Sequence, residues 1–82
     1  MAKAIFNYQG IETIIQCNIN DKIKDIYKKY ENKLGIDISK LYFIYNGNKI
    51  NDNLTLNEII NEEDKRRYII NILVNENNET IK

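Results

Sequence analysis

Residues 41–50, "LYFIYNGNKI", are the stretch that decides the fold. Alternating apolar residues predict the buried face of a β-strand here: Leu41, Phe43 and Tyr45. That assignment leaves Ile44 on the opposite face, which should meet water. Asn46-Gly47 then predicts a tight hairpin turn, because both residues tolerate the positive φ that such a turn needs. The chain therefore directs an isoleucine outward beside a hairpin, which is unusual enough to suggest a binding surface.

The N-terminal stretch "AKAIFNYQGIETIIQCNI" predicts two strands joined by a turn at Gln9-Gly10. In the second strand, period-two alternation places four residues on the core face: Thr13, Ile15, Cys17 and Ile19. The first strand leaves two registers open. Either Ala4 and Phe6 or Ile5 faces the core, depending on the register of the turn.

The clearest helix signal is "NDKIKDIYKKYENKLG". Its apolar residues follow the spacing of one helix face: Ile23, Ile26, Tyr27, Tyr30 and Leu34. Asn20 or Asp21 is expected to cap the N-terminus with a side-chain oxygen, and Gly35 to end the helix in the left-handed conformation. Lys24 and Lys28 lie off the apolar stripe. They are expected on a solvated face, with a docking surface for an acidic partner as the alternative.

After the hairpin, Thr55 and Glu58 match a capping box and predict a short helix over residues 56–60. Residues 61–67, "NEEDKRR", are predicted to form a polar loop. The acidic run within it lacks the spacing of a calcium loop, so a solvated surface is expected rather than a metal site.

The last β-rich segment is residues 68–74, "YIINILV". With Asn71 facing water, three residues are expected to point inward: Ile70, Ile72 and Val74. Ile69 and Leu73 are then expected to point outward. Residues 75–82 have little to bury and are predicted to be a flexible tail.

This order of elements and turns resembles the ubiquitin-like domains of the β-grasp fold over residues 3–74. The most specific match is "LYFIYNGNKINDNLTLNEI", through its strand, turn and Thr-Leu pattern: Phe43, Ile44, Tyr45, Gly47, Ile50, Asp52, Thr55 and Leu56. The resemblance implies the α+β class, with a mixed sheet of four to five strands packed on one main helix. The expected order is ββαββ with a short second helix.

In the ubiquitin family, the sheet face away from the helix carries an apolar patch centred on the position of Ile44. The resemblance therefore implies a set of partner-binding residues: Tyr8, Lys40, Ile44, Gly47, Lys49, Asn71 and Leu73. Conjugated family members end in Gly-Gly, whereas this sequence has no glycine after Gly47. A non-conjugated domain is expected.

Charge argues against two classes of partner. Lys and Arg number 12, as do Asp and Glu, so the formal net charge is zero. Nucleic-acid binders and proteins that bind anionic membranes rely on excess positive charge. Neither kind of partner is expected, and the 82 residues suffice for one domain, expected to be a monomer.

Catalysis also finds little support in the composition. The chain has no histidine, so the commonest general base is missing. Its single cysteine, Cys17, is predicted on the inner face of a strand, where a thiol is usually inert. No enzyme activity, cofactor or metal is expected. A lone cysteine fits a reducing compartment, so the cytoplasm or nucleus is the expected location.

The sequence thus predicts a non-catalytic interaction module that recruits a ubiquitin receptor or another proteasome-pathway protein. A second reading stays open, in which the module has a structural or regulatory role. It would pack on a neighbouring domain, or bind a small GTPase through an edge strand and the lysine-rich helix. The two readings differ in the working surface, which is either the Ile44 patch or the helix face of Lys24 and Lys28.

Overall fold

The computed structural model describes residues 1–76. The strands of this part of the chain are β1 (Ala2–Tyr8), β2 (Ile11–Cys17), β3 (Leu41–Tyr45), β4 (Asn48–Lys49) and β5 (Ile69–Glu76). Its helices are α1 (Ile23–Leu34), α2 (Leu56–Ile59) and α3 (Glu62–Arg67), with a 3-10 turn at Ile38–Lys40. The expected α+β class is confirmed, and residues 1–76 form a mixed sheet of five strands, within the four to five that were expected.

The strand order in the sheet is β2-β1-β5-β3-β4. β1 and β5 pair in parallel at the centre, whereas every other pairing is antiparallel. Parallel neighbours need a long crossover connection, which the chain between β2 and β5 supplies with α1. This central pairing also fixes the open register of β1. Ala4 and Phe6 face the core, while Ile5 lies half-buried on the other face.

An aromatic cluster forms the centre of the core between the sheet and α1. The ring of Phe6 stacks on that of Tyr30 with centroids 4.2 Å apart, and Tyr27 stacks on Phe43 at 3.9 Å. The inward positions predicted for the last strand are confirmed, since Ile70, Ile72 and Val74 are all buried. These side chains close the sheet against the helix.

The two ends of α1 differ from each other in how well the sequence predicts them. Gly35 adopts a φ of 69° and its N–H donates to Glu31 O at 2.8 Å, so it ends the helix as expected. Leu34 was expected on the buried stripe, but it is 37% exposed. As the last residue of α1 it lies where the helix leaves the sheet.

Neither Asn20 nor Asp21 caps the N-terminus of α1, so that prediction is wrong. The Asp21 carboxylate instead accepts a hydrogen bond from the Asn18 N–H at 2.9 Å. The first N–H groups of the helix are satisfied by backbone carbonyls of the loop before α2. Ile23 N–H donates to Leu54 O at 2.9 Å, and this long-range bond replaces a local side-chain cap.

The polar stretch at 61–67 is a helix rather than the predicted loop. The Asn61 side chain caps α3 by accepting from the Asp64 N–H at 2.8 Å. The first turn holds three acidic residues and the last turn three basic residues, which suits the helix dipole. Tyr68 ends α3 at a φ of 57°.

The remaining predicted elements match with small changes in length. Thr55 N–H donates to Glu58 Oε1 at 2.8 Å, as expected for the capping box of α2. β5 extends through Glu76, two residues beyond the predicted end of the domain at 74. The rest of the predicted tail, 77–82, lies outside the described residues. No helix within residues 1–76 is long and apolar enough to cross a membrane.

Candidate functional site

The candidate site lies on the outer face of the sheet, which points away from α1. Ile44 on β3 and Leu73 on β5 are directly paired in the antiparallel register, so their side chains are neighbours. Leu73 is 48% exposed and Ile44 is half-buried. Strand alternation thus leaves two aliphatic side chains together on the solvent side of a sheet whose other side is the core.

These two residues belong to a shallow depression with a volume of about 360 Å³. We call it the outer-face patch; the lining residues that matter here are Ile5, Ile44, Gly47, Asn71 and Leu73. Four of the seven predicted site residues are therefore together. Gly47 adopts a φ of 82° in the hairpin turn and forms one rim of the patch.

Ile5 and Asn7 were absent from the predicted set, although both line the depression. Ile5 sits opposite Ile14 of β2, which is 47% exposed. The apolar surface therefore continues from the patch to the edge of the sheet. Alternation in β1 contained the signal, since placing Phe6 in the core necessarily places its two neighbours outside.

Lys49 lies beside the patch, outside the lining of the depression. It is paired with Ile44 in the β3–β4 register, so it lies beside the apolar centre. Its Nζ lies 4.8 Å from the ring centroid of Tyr42, which holds the ammonium group over an aromatic face. An apolar centre with a charged edge is the usual anatomy of a protein-binding surface.

Lys40 does not join the patch. It is the last residue of the 3-10 turn, four residues before Ile44 along the chain. At about 3.3 Å per strand residue, that separation is about 13 Å. Lys40 therefore lies at the opposite end of β3 from the hairpin that borders the depression.

Tyr8 was expected beside Ile44, but it lies on the helix side of the sheet. It is the last residue of β1 and continues the inward alternation of Ala4 and Phe6. Its hydroxyl donates to Glu76 Oε2 at 2.7 Å, and this bond raises the pKa of the Tyr8 phenol. The residue thus fastens the end of β5 to the first hairpin.

The outer face of the sheet offers apolar contacts and side-chain amide hydrogen bonds to a partner. The one cysteine of the sequence, Cys17, does not lie on this face. Cys17 is buried on the core side, where its Sγ contacts Ala2 O at 3.7 Å. Burial raises the pKa of the Cys17 thiol, which disfavours the nucleophilic thiolate. Among residues 1–76, no group of three or more His, Cys, Asp or Glu side chains could hold a metal ion.

Residues 5–74 match the family model described as Ubiquitin-2 like Rad60 SUMO-like. The chain belongs to this ubiquitin-like family. Domains of the family are generally non-catalytic and act in protein interactions, so the chain is a protein-interaction module in this general sense. A search of curated proteins found no match.

Two solved structures illustrate the likeness of the fold. A crystal structure of ATBAG1 in complex with HSP70 superimposes with a TM-score of 0.76 at 11% identity, covering 96% of this chain and 42% of that one. The ubiquitin-like domain of an Arabidopsis thaliana protein gives a TM-score of 0.74 at 14% identity, covering 99% of this chain and 82% of that one. The second confirms the ubiquitin-like fold, and this chain spans less than half the length of the first.

Proposed function

We propose that this ubiquitin-like domain recruits a ubiquitin receptor or another proteasome-pathway protein through the outer-face patch. The single observation that carries the proposal is the adjacent, solvent-facing pair of Ile44 and Leu73. Burying both side chains against a partner would remove apolar area from water without moving the backbone. Binding energy at protein interfaces usually concentrates in such a small central cluster.

The neighbours of this pair support recognition as well as burial. Asn71 lies on the same face and can both donate to and accept from a partner's polar groups. Lys49 lies on the other side of Ile44 and favours a partner with acidic residues flanking its apolar anchors. Gly47 has no side chain, so a partner backbone can approach the rim closely.

A titration followed by NMR tests the proposal. The ¹⁵N-labelled domain is titrated with a ubiquitin-interacting helix and with purified proteasome receptor domains. Chemical-shift changes are expected to cluster at the amides of Ile44, Gly47 and Leu73. Ile44→Ala should remove these changes, and the spectrum of this variant should still be that of a folded protein. Ile11→Ala is the matched control, because Ile11 is 68% exposed but does not line the patch.

The recruitment proposal is overturned if the folded domain gives no shifts with any of these partners. It is also overturned if Ile11→Ala and Ile44→Ala weaken binding equally. That result would mean that scattered apolar contacts, rather than the outer-face patch, account for the interaction.

A second candidate function uses the edge of the sheet that is formed by β2. β2 is an edge strand, and two lysines of α1 reach across to its backbone. Lys29 Nζ donates to Gln16 O at 3.4 Å and Lys33 Nζ donates to Ile14 O at 3.2 Å. An edge strand of a partner, such as a small GTPase, could donate its own backbone N–H groups to these two carbonyls in place of the lysines. The two lysines would then be free to pair with acidic side chains of the partner.

Exchanging charges on α1 separates the two candidates. Lys29→Glu with Lys33→Glu, at the two lysines that contact β2, should abolish binding to a GTP-loaded small GTPase and leave receptor binding nearly unchanged. Ile44→Ala should have the reverse effect. Both lysines are exposed, so neither substitution is expected to disturb the fold. Unchanged GTPase binding in the double variant would exclude the basic helix face as the contact.

A further inference from the structure

The two edges of the sheet differ in length and in what they expose. β4 ends one edge with two residues, Asn48–Lys49, whereas β2 forms the other edge with seven, Ile11–Cys17. Ile11 and Ile14 of β2 are exposed, so this edge is both long and apolar. A long apolar edge strand is a template for pairing with another chain, and proteins that stay monomeric protect such an edge.

The register between β1 and β2 identifies the backbone groups of β2 that are open to such pairing. Lys3 is opposite Gln16, but the Lys3 N–H donates to Tyr68 O on the other side of β1, at 2.9 Å. This pair is therefore not hydrogen-bonded, and the backbone groups of Gln16 point away from β1. Because these directions alternate residue by residue in an antiparallel strand, the backbone groups of Ile14 and Glu12 point away from β1 as well.

Two lysines of α1 cover this open backbone. The Nζ atoms of Lys29 and Lys33 donate to two of the outward carbonyls, Gln16 O and Ile14 O. The two lysines are four residues apart, so they project from the same side of the helix. Lys29 Nζ also lies 3.8 Å from the Asp21 carboxylate, which holds it near the edge. A strand that adds to β2 must displace both ammonium groups, and charged side chains, lysine above all, are a common means of preventing edge pairing.

The open side of β2 is complementary to itself. In an antiparallel pairing about a twofold axis at Ile14, this residue lies opposite Ile14 of a second copy, and Glu12 lies opposite Gln16 of that copy. All three residues then take hydrogen-bonded positions. Their exposed side chains share the outer face of the sheet. The two isoleucines would be in contact there, and the Gln16 amide can donate to the Glu12 carboxylate.

The same twofold axis brings the covering lysines of the two copies together. Lys33 is bonded at Ile14 O, so its ammonium group lies near the axis and would face Lys33 of the second copy. Like charges placed in this way repel each other. The lysines therefore oppose self-pairing in two ways, because they occupy the carbonyls and because they add positive charge on both sides of the axis.

We propose that Lys29 and Lys33 keep this domain monomeric by covering β2, and that the uncovered strand pairs with β2 of a second copy about Ile14. Such a dimer is closed, because the twofold axis uses both β2 edges and leaves only the two-residue β4 edges open. The proposal rests on neither of the functions proposed above, since it involves only copies of this chain.

Replacing the lysines by a side chain without N–H donors tests their covering role. Lys29→Met with Lys33→Met keeps aliphatic stems and removes the two ammonium groups. In analytical ultracentrifugation, the parent protein should be a monomer, and the double variant should reach twice the monomer mass, with a dimer fraction that rises with protein concentration. Lys24→Met with Lys28→Met is the matched control, because both lysines are exposed on α1 and no hydrogen bond joins them to β2 in the described chain. This control should stay monomeric.

Further substitutions in the variant that lacks both covering lysines test the position of the axis. Ile14→Glu places two carboxylates against each other at the axis and should restore the monomer. Ile11→Glu is the control, because Ile11 is more exposed than Ile14 but its backbone groups face β1. The dimer should persist in this control. In hydrogen-exchange measurements, the amides of Ile14 and Gln16 should exchange at least about tenfold more slowly in the dimer than in the parent protein.

The proposal is overturned if the folded Lys29→Met/Lys33→Met variant stays monomeric at every concentration, or if the parent protein is already a dimer. It is overturned as well if Lys24→Met/Lys28→Met dimerises as strongly, if Ile14→Glu leaves the dimer intact, or if open-ended aggregates form instead of a dimer. Lys33→Met alone uncovers the carbonyl at the axis and takes the place of the double variant if that variant does not fold. The single variant should dimerise as well, and a monomer at every concentration would again overturn the proposal.

Discussion

The phenol of Tyr45 donates a 2.6 Å hydrogen bond to Asp64 Oδ2 and thereby joins the end of β3 to α3. The same hydroxyl accepts a hydrogen bond from the Asn61 N–H at 3.1 Å, at the cap of that helix. On the other carboxylate oxygen, Arg67 donates to Asp64 Oδ1 at 2.9 Å. A short, wholly polar helix is thus held to the sheet through one phenol and one carboxylate.

Tyr45→Phe should destabilise the domain by about 1–3 kcal/mol, because it removes two hydrogen bonds of a nearly buried hydroxyl without creating a cavity. Urea unfolding followed by circular dichroism measures this change. Tyr68→Phe is the control, since Tyr68 is half-exposed and should lose less than about 0.5 kcal/mol. Equal midpoints for the two variants would mean that the Tyr45 bonds contribute nothing to stability.

The same pair predicts a dependence of stability on acid. The hydrogen bond from Tyr45, followed by that from Arg67, lowers the pKa of the Asp64 carboxyl below its ordinary value of 3.8. A folded-state pKa below the unfolded one stabilises the protein above that ordinary value, and the contribution is lost as pH falls through the lowered pKa. In Tyr45→Phe, the pKa of Asp64 should rise, as read from the ¹³C shift of its carboxyl group.

Unfolding experiments give an independent check on this linkage. The stability difference between the parent protein and Tyr45→Phe should be larger at pH 6 than at pH 2.5, because protonated Asp64 no longer accepts a charge-assisted bond. Asp37 also has a lowered pKa, from its bond with Ser39, but it is present in both proteins and cancels in the difference. A difference that stays constant with pH would contradict the assignment to Asp64.

The α3 helix shows what sequence periodicity misses. Residues 61–67 contain no apolar residue, so the hydrophobic periodicity of the sequence does not predict a helix there. The contact that holds it, from Tyr45, comes from 16 residues away in the chain. Yet an N-cap residue, Asn61, is followed by three acidic and then three basic residues, and this order is typical of a helix from its N-terminus to its C-terminus. This pattern was the signal from which α3 could have been predicted.

The sequence predicts only those patch residues whose position depends on their neighbours along the chain. Ile44 and Leu73 follow from strand alternation and the Asn46-Gly47 turn, which depend on neighbouring residues alone. Tyr8 was misplaced because the two-residue turn at Gln9-Gly10 makes it the last strand residue rather than a loop residue. The cap of α1 was missed for another reason, since carbonyls of a distant loop supply it.

Gly47→Ala tests whether the hairpin conformation itself supports the patch. Gly47 has a φ of 82°, and a Cβ atom there would have nothing within 4 Å, so only the backbone conformation opposes the change. The cost should be about 1–2 kcal/mol in urea unfolding, from the left-handed φ of an L-residue. Gly47→Asn should cost less, because asparagine tolerates that region better. Equal costs for both variants would argue against a conformational origin.

Phe6→Ala should remove most of the stability of this domain. Phe6 is fully buried, stacks on Tyr30, and meets Phe43 edge-on at a centroid distance of 5.8 Å. Truncating a buried phenylalanine costs about 3–5 kcal/mol, whereas whole domains are stable by about 5–15 kcal/mol, with small ones at the low end. Ile5→Ala, at the adjacent position on the outer face, should cost about 1 kcal/mol, since Ile5 is only half-buried.

Thermal unfolding by circular dichroism compares these two neighbours directly. Phe6→Ala should melt at a much lower temperature and with a broader transition, while Ile5→Ala should unfold nearly as the parent does. Reversed effects would mean that β1 takes the other register, with Ile5 in the core. The outer-face patch would then lose Ile5, because shifting a strand by one residue moves every side chain to the opposite face.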